Sequence, residues 1–483
     1  MRWRPGAAMA VAGTCLTLVA GTCAAASGGG GWGTARQVPG VRVQGLMSVY
    51  SAPAYVGVAC PAPRDCTAAY MPPGSGGASA PVFSVTEHAG TWAAPRPVPG
   101  LRAEPFLRLA LACISVGDCV AASTAPHGTG TEVMVARLTH GAWGQARPVP
   151  GLAALGAAGV SQVSALACGR TGWCALAGQY RPPVPHAGLQ PFVVSEHDGA
   201  WSTARPVPGL AALTQGWAAD VAAISCDARG TCTAAGYYRD HAVHDDQPYA
   251  VTASNGRWGR ARPITGTEAD GPSFITAISC SSPGNCAAAG TSSTPTLTRM
   301  FVVTETAGAW RRAAPLRGKI AIGYPADTTG ITALTCAAPG QCAALGAYGT
   351  SANSSDGAPV VAVPFAAAQA HGTWSAIRAI RGLPADAVTW VTSVSCSAAG
   401  NCAAGGYWFT NPNGDEHTLS NNHAFLVTET SGTWGRAQPV PGLAALGSWD
   451  SKVDTVSCQP LLGCIAVGDY FARGNRLFTA LRG

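Results

Sequence analysis

The stretch Ile275-Thr276-Ala277-Ile278-Ser279-Cys280-Ser281-Ser282-Pro283-Gly284-Asn285-Cys286-Ala287-Ala288-Ala289-Gly290 decides the fold. An apolar, β-branched run ends at Cys280. A five-residue turn follows, with Gly284 placed where a positive φ is needed. Cys286 then opens a second strand. The unit reads as an antiparallel hairpin with a cysteine at each foot.

Moving outward, the same hairpin recurs along the chain. Cysteine pairs of C-x5-C spacing occur at Cys60/Cys66, Cys113/Cys119, Cys168/Cys174, Cys226/Cys232, Cys280/Cys286, Cys336/Cys342, Cys396/Cys402 and Cys458/Cys464. Together with Cys15 and Cys23 near the N-terminus they account for all 18 cysteines. So regular a spacing is an internal repeat of about 57 residues. A second landmark keeps the period: Trp32, Trp92, Trp143, Trp201, Trp258, Trp310, Trp374 and Trp434 each follow a Gly-containing turn. Arg36, Arg96, Arg147, Arg205, Arg262 and Arg378 follow six of them by four residues, and a Pro-rich exit often comes next.

Each repeat thus holds two Cys strands, a third strand such as Phe301-Val302-Val303-Thr304-Glu305, and a Trp strand. No segment shows helical periodicity. Four short antiparallel strands, eight times over, predict an all-β, eight-bladed β-propeller. The last repeat lacks its Trp strand, and Trp32 to Val38 stand alone at the other end. The expectation is that they pair and close the ring. A seven-bladed ring with a displaced unit is the alternative.

Composition argues against an ordinary three-domain protein. Charged residues are 11% of the 483, there are 61 Gly and 36 Pro, and Lys319 and Lys452 are the two lysines. The net charge of +6 has no basic run behind it, which argues against a nucleic-acid partner. Residues 1–26 read as a signal peptide: Arg2 and Arg4, an apolar run, then Ala24-Ala25-Ala26. A membrane anchor or a lipoprotein at Cys23 are the alternatives, but the apolar run is short of the ~20 residues a span needs. Residues 27–483 are expected to form one monomeric propeller domain.

In an oxidising compartment the eight Cys pairs read as one hairpin disulfide per blade. Zinc sites favour C-x2-4-C with further ligands, and redox sites favour C-x-x-C. Neither pattern is met.

The run Thr428-Glu429-Thr430-Ser431-Gly432-Thr433-Trp434-Gly435 resembles the turn of sialidase-type propellers with Asp-boxes, S-x-D-x-G-x-T-W. Thr430 stands at the Asp position, and the Trp comes one residue early. Ser195 to Trp201 departs in the same way. Over residues 31–481 the combination of Val-Thr-Glu, Gly-Thr-Trp-Gly and C-x5-C is similar to secreted repeat proteins of high-GC bacteria. That resemblance implies a secreted propeller and brings no activity with it.

Function is expected on the face carrying the variable loops. Tyr180, Tyr238, Tyr348, Trp408 and Tyr470 lie six residues after the second Cys. They read either as stacking platforms or as packing between blades. Two polar loops carry Asp240, His244, Asp245 and Asp246, and Asn411, Asp415, Glu416 and His417. They read as solvated loops or, less simply, as a Ca²⁺ site or paired carboxylates. Trp217, Trp390 and Trp449 lie in connections between blades and would anchor a ligand if exposed. The candidate ligand residues are therefore Tyr180, Trp217, Tyr238, Asp240, Tyr348, Trp408, Asp415 and Trp449. No catalytic motif stands in a usable context. The leading expectation is a non-catalytic module for an extracellular glycan or protein. The alternative is a glycan-active enzyme, a sialidase-like hydrolase or a lyase.

Overall fold

The computed structural model describes residues 30–43, 56–73, 79–104, 107–156, 159–184, 188–240, 242–267, 271–294, 297–318, 329–349, 361–410 and 421–483. Residues 1–26, Lys319 and the loop residues 411–420, including Asp415, Glu416 and His417, lie outside them.

The chain from Trp32 to Gly483 forms one unit of eight antiparallel four-stranded blades, here numbered 1 to 8 by their cysteine pairs. Blade 4 is representative. Its strands are Ala219–Cys226, Cys232–Arg239, Asp246–Ser254, and an outer strand in two pieces, Arg257–Trp258 and Arg262–Pro263. All eight expected bridges form: Cys60–Cys66, Cys113–Cys119, Cys168–Cys174, Cys226–Cys232, Cys280–Cys286, Cys336–Cys342, Cys396–Cys402 and Cys458–Cys464. Their Cα–Cα separations run from 3.9 to 4.1 Å, because the two cysteines of a hairpin face each other directly. The turn glycine is used as its position implies: Gly284 has φ 69°, and a Cβ there would meet Gly308 N at 2.6 Å.

The outer strand is broken, which the sequence pattern does not anticipate. Between Trp and Arg the backbone changes partner. Ala204 N–H donates to Pro150 O of the preceding blade (2.8 Å), and Ala261 N–H to Pro208 O (2.7 Å). The same link recurs at Ala146, Ala313, Ile377 and Ala437, and at Ala35, which donates to Pro441 O (2.7 Å). The interruption thus ties neighbouring blades together at the rim. The Trp rings pack into core clusters such as those around Trp92 and Trp434, while Arg96, Arg205 and Arg262 are exposed.

The inner strands are tied in the same direction around the axis. Ser225 Oγ accepts from Cys280 N–H (3.0 Å), Ser279 from Cys336 (2.9 Å) and Ser395 from Cys458 (2.9 Å). Ser457 Oγ donates to Cys60 O (2.8 Å), joining blade 8 to blade 1 across 397 residues. Arg36–Gln37 pairs antiparallel with Asn475–Arg482 of blade 8, Arg36 opposite Thr479.

The core is thin and local. Most clusters sit between two blades, as with Val193, Val207, Leu210, Val221 and Tyr249. Small strand residues let the blades approach closely: a Cβ on Gly57 would lie 2.9 Å from Leu111 Cβ.

One irregularity positions the functional face. In blades 3 to 8 the inner strand carries a β-bulge four residues before its first Cys, as between Val163 and Ala165, or between Val453 and Thr455. The bulge pushes one carbonyl toward the second strand. A Cβ on Gly236 would then sit 2.0 Å from Asp220 O, and one on Gly468 2.1 Å from Lys452 O. Glycine is required there. Blades 1 and 2 lack this bulge and carry Tyr70 and Ser123 instead. Bulges of this kind re-aim the side chains beyond them.

Candidate functional site

Beyond the bulge, the residue six before the first Cys pairs with the residue five after the second. These pairs are Gln162/Gln179, Asp220/Tyr237, Phe274/Thr291, Gly330/Ala347, Trp390/Tyr407 and Lys452/Asp469. They form one layer at the axial mouth of the variable face, and it is the chemically richest layer of the fold. Two residues before each first Cys the chain is uniformly aliphatic, for example Leu111, Leu166, Ile224 and Val456.

The mouth has two polar arcs. In blade 8, Lys452 Nζ lies 3.2 Å from Asp454 Oδ1 and 3.2 Å from Asp469 Oδ2. Asp454 is the bulge residue. In blades 5 to 7 that position is Thr276, Thr332 or Thr392, each donating to a carbonyl of the next inner strand. Burial pushes the Asp454 carboxyl up to about 7, opposed by Lys452. Burial by itself would lower the Lys452 ammonium, but Asp454 and Asp469 outweigh it and hold the group above its ordinary value. Tyr407 stands beside this group with its pKa raised by burial and stacks on Trp390 at 6.1 Å. In the opposite arc, Gln162 Nε2 donates to Gln179 Oε1 (2.6 Å), and Gln179 hydrogen-bonds Asp220. Burial raises the Asp220 carboxyl, while hydrogen bonds from the Val221 backbone N–H and Gln179, and the charge of Arg108, oppose it. Arg108 reaches solvent, yet the wall around it removes enough water to lower its pKa.

A separate groove of about 670 Å³ opens between blade 3's second loop and the connection to blade 4. Tyr180, Pro182, Val184, Gln190, Leu210 and Trp217 contribute to its walls, and none of the described lining residues is charged. Trp217 is 43% exposed and Val184 60% exposed. The tryptophan is held through both its backbone and its ring. Gln190 Nε2 donates to Trp217 O (2.7 Å), the Arg239 guanidinium lies 5.9 Å from the ring centre, and the His244 ring is 6.3 Å away. Arg239 is in turn anchored by Asp246 at 3.6 Å.

The other sequence candidates fall into place by burial. Tyr238 is 3% exposed, and Tyr180 and Tyr470 are also buried, so packing between blades accounts for them. Tyr180 still contributes its edge to the groove wall. Tyr348 and Trp408 are half-buried, against Phe365 (6.2 Å) and His423 (4.4 Å) respectively. Asp240 organises its own loop: its carboxylate accepts from Tyr238 OH (3.1 Å), Ala242 N–H (2.7 Å) and Val243 N–H (3.3 Å). That leaves it poorly suited to metal ligation or acid–base work. Among the described residues, no three His, Cys, Asp or Glu side chains gather as a metal site. Trp449 is 45% exposed and meets Phe471 edge-on at 4.7 Å.

The cysteines hold the frame and take no part in this face. The second member of every pair is buried: Cys66, Cys119, Cys174, Cys232, Cys286, Cys342, Cys402 and Cys464. None of these eight lines the groove at Trp217. A bonded thiol neither titrates nor ligates, so all sixteen are structural. On the opposite face, Cys113, Cys168 and Cys226 contribute to the wall of a cavity of about 400 Å³. Beside it, Arg170 Nη2 of blade 3 donates to Gln459 Oε1 of blade 8 (3.0 Å).

Sequence reasoning missed Lys452, Asp469, Arg108, Gln179 and Tyr237. The available signal was the glycine four residues after the second Cys, which marks the bulge.

No family model and no curated protein matches the chain. Among solved structures it is similar to an ulvan lyase (7% identity, TM-score 0.42, covering 92% of this chain and 95% of that one). It is also similar to a Hadza microbial sialidase (9% identity, TM-score 0.37, 75% and 73%). A third is the α-L-arabinanase of Penicillium chrysogenum (11% identity, TM-score 0.34, 66% and 91%).

Proposed function

We propose that this is a secreted, non-catalytic propeller that binds a neutral glycan in the groove at Trp217. The observation that carries the reading is an exposed indole beside the Arg239 guanidinium, in a concave wall whose described lining residues carry no charge. A pyranose has apolar C–H faces that fit such a ring and hydroxyls that fit a polar rim. The lack of lining charge favours neutral chains over uronic or sialic acids. The eight disulfides and the leader-like residues 1–26 support secretion.

The test is calorimetric titration with cellohexaose, xylohexaose, mannohexaose, maltohexaose and arabinohexaose, with hyaluronan and alginate hexasaccharides as acidic comparisons. A neutral hexaose is expected to bind and to lose at least tenfold in affinity in Trp217→Ala, the scale of a central aromatic anchor. Binding of the acidic set alone, or none, would overturn the proposal.

A second reading is a glycan-active enzyme working at the axial mouth. It is favoured by one observation: the Asp454 and Asp469 carboxylates share Lys452 Nζ, each at 3.2 Å, and burial raises the Asp454 carboxyl. Paired carboxyls of which one is raised suit general-acid work in glycosidic cleavage. Analysing the same titration mixtures for released sugars decides between the readings. Products that vanish in Asp454→Asn would establish the enzyme.

A further inference from the structure

Trp217 has a structural twin. It follows Gly209-Leu210-Ala211-Ala212-Leu213, and Trp449 follows Gly442-Leu443-Ala444-Ala445-Leu446. Both connections start with glycine at positive φ (80° and 83°), make one helical turn, and bury their first leucine; Gly151 to Leu155 before blade 3 do the same but lead to Gly159, so the tryptophan is what the two sites alone share. Both tryptophans stand nine residues before the first Cys of their blade. At the equivalent place, moved by one residue in the two repeats without the bulge, the others carry Ala52, Pro105, Gly159, Gly271, Asp327 and Ala387. The partner of each indole also matches. Arg239 and Phe471 are both the seventh residue after the second Cys, and one supports its tryptophan as a cation while the other does so edge-on. Two different side chains therefore serve the same purpose at the same position.

The two sites open blades 4 and 8. In a ring of eight, blades four apart are diametrically opposite. Each tryptophan leaves over two-fifths of its surface in water. Hydrophobic burial alone gives no reason to keep a large aromatic ring there, since among the described residues Gly159, Gly271 and Ala387 hold the equivalent place in other blades.

We propose that the ring is bivalent: Trp449, with Phe471 beside it, forms a second platform for the same neutral glycan, opposite the Trp217 groove. This rests on the glycan-binding reading of Trp217. One protein molecule would then hold two short oligosaccharides, or two segments of a polysaccharide. On a polymer, the second contact becomes intramolecular and raises retention by an effective concentration rather than by new chemistry.

The experiment uses the mature chain and the neutral hexaose panel, with Trp217→Ala, Trp449→Ala and the double variant. Both positions are exposed, so the variants should fold; circular dichroism checks this. Two hexaoses per wild-type chain are expected, one in each single variant and none in the double. Retention on the parent polysaccharide immobilised on beads is expected to fall at least tenfold in either single variant. One site, lost in Trp217→Ala and unchanged in Trp449→Ala, would overturn the second platform and leave the first intact. Two sites that both survive Trp449→Ala would overturn it equally. Absence of hexaose binding in the wild type would overturn both readings.

Discussion

Glu87, Glu305 and Glu429 occupy one position of the repeat, opposite Trp92, Trp310 and Trp434 across the third and outer strands. All three are buried, and each keeps a carboxyl oxygen without a hydrogen bond. Burial raises their pKa values, to about 7 for Glu87, where Asp65 adds to the rise and Arg64 opposes it. Blade 6 carries the neutral isostere at this position: Gln369 Nε2 donates to Thr304 Oγ1 (2.9 Å) and Gly372 O (3.2 Å). A raised carboxyl pKa means that the native state keeps a proton the unfolded chain releases. The stability it contributes is full below the ordinary carboxylate pKa of about 4.3 and is lost as pH rises through the folded value. Urea unfolding is therefore expected to show declining stability from pH 5 to pH 8. The triple Glu→Gln variant should flatten that decline and gain on the order of 1–2 kcal/mol at pH 8. Parallel pH profiles for the two proteins would refute this.

At the scale of the strand pair, the hairpin was legible because two constraints coincide in sequence. C-x5-C spacing places the cysteines opposite each other, and Gly284 and its equivalents supply the positive φ. The chain-entropy estimate for so short a loop is roughly 2 kcal/mol per bridge. Replacing Cys280 and Cys286 together by Ala should lower unfolding free energy by about that amount, read from urea midpoints with unchanged slope. A loss confined to a few tenths of a kcal/mol would mean that packing already fixes the hairpin. The bulge was not legible. A one-residue register shift changes neither composition nor polarity pattern, and only Gly236, Gly468 and their equivalents betray it. Lys452 and Asp469 were thereby hidden, because the reading of strand alternation stopped short of the residues the bulge re-aims. The broken outer strand was hidden for another reason: its partner lies in the preceding blade, some fifty residues away.

For the whole molecule, eight repeats sufficed to count blades, and the mismatched chain ends suggested which segment belongs with which. The Trp217 groove could not be read, since its walls come from two loops of different lengths whose approach only the folded ring defines. The N-terminal segment has two attachments, Arg36–Gln37 to blade 8 and Ala35 to blade 7, and it buries Val38 completely. Removing residues 27–38 would bare the edge of Asn475–Arg482, and unpaired edges invite association. The truncated protein is expected to melt at a lower temperature and to aggregate on heating, measured by calorimetry with light scattering. An unchanged midpoint and a monomeric truncated protein would show that the segment is dispensable.

The closeness of each cysteine pair has a consequence for how the protein is made. Sixteen thiols could in principle couple in millions of ways, yet here every correct partner is the next cysteine along the chain. With the secretion proposed above, the N-terminal repeats would emerge first. Each can oxidise as soon as its own hairpin is outside, before any rival thiol arrives. Correct pairing then needs little reshuffling, and a chain halted midway would hold finished bridges behind it and untouched cysteines still to come.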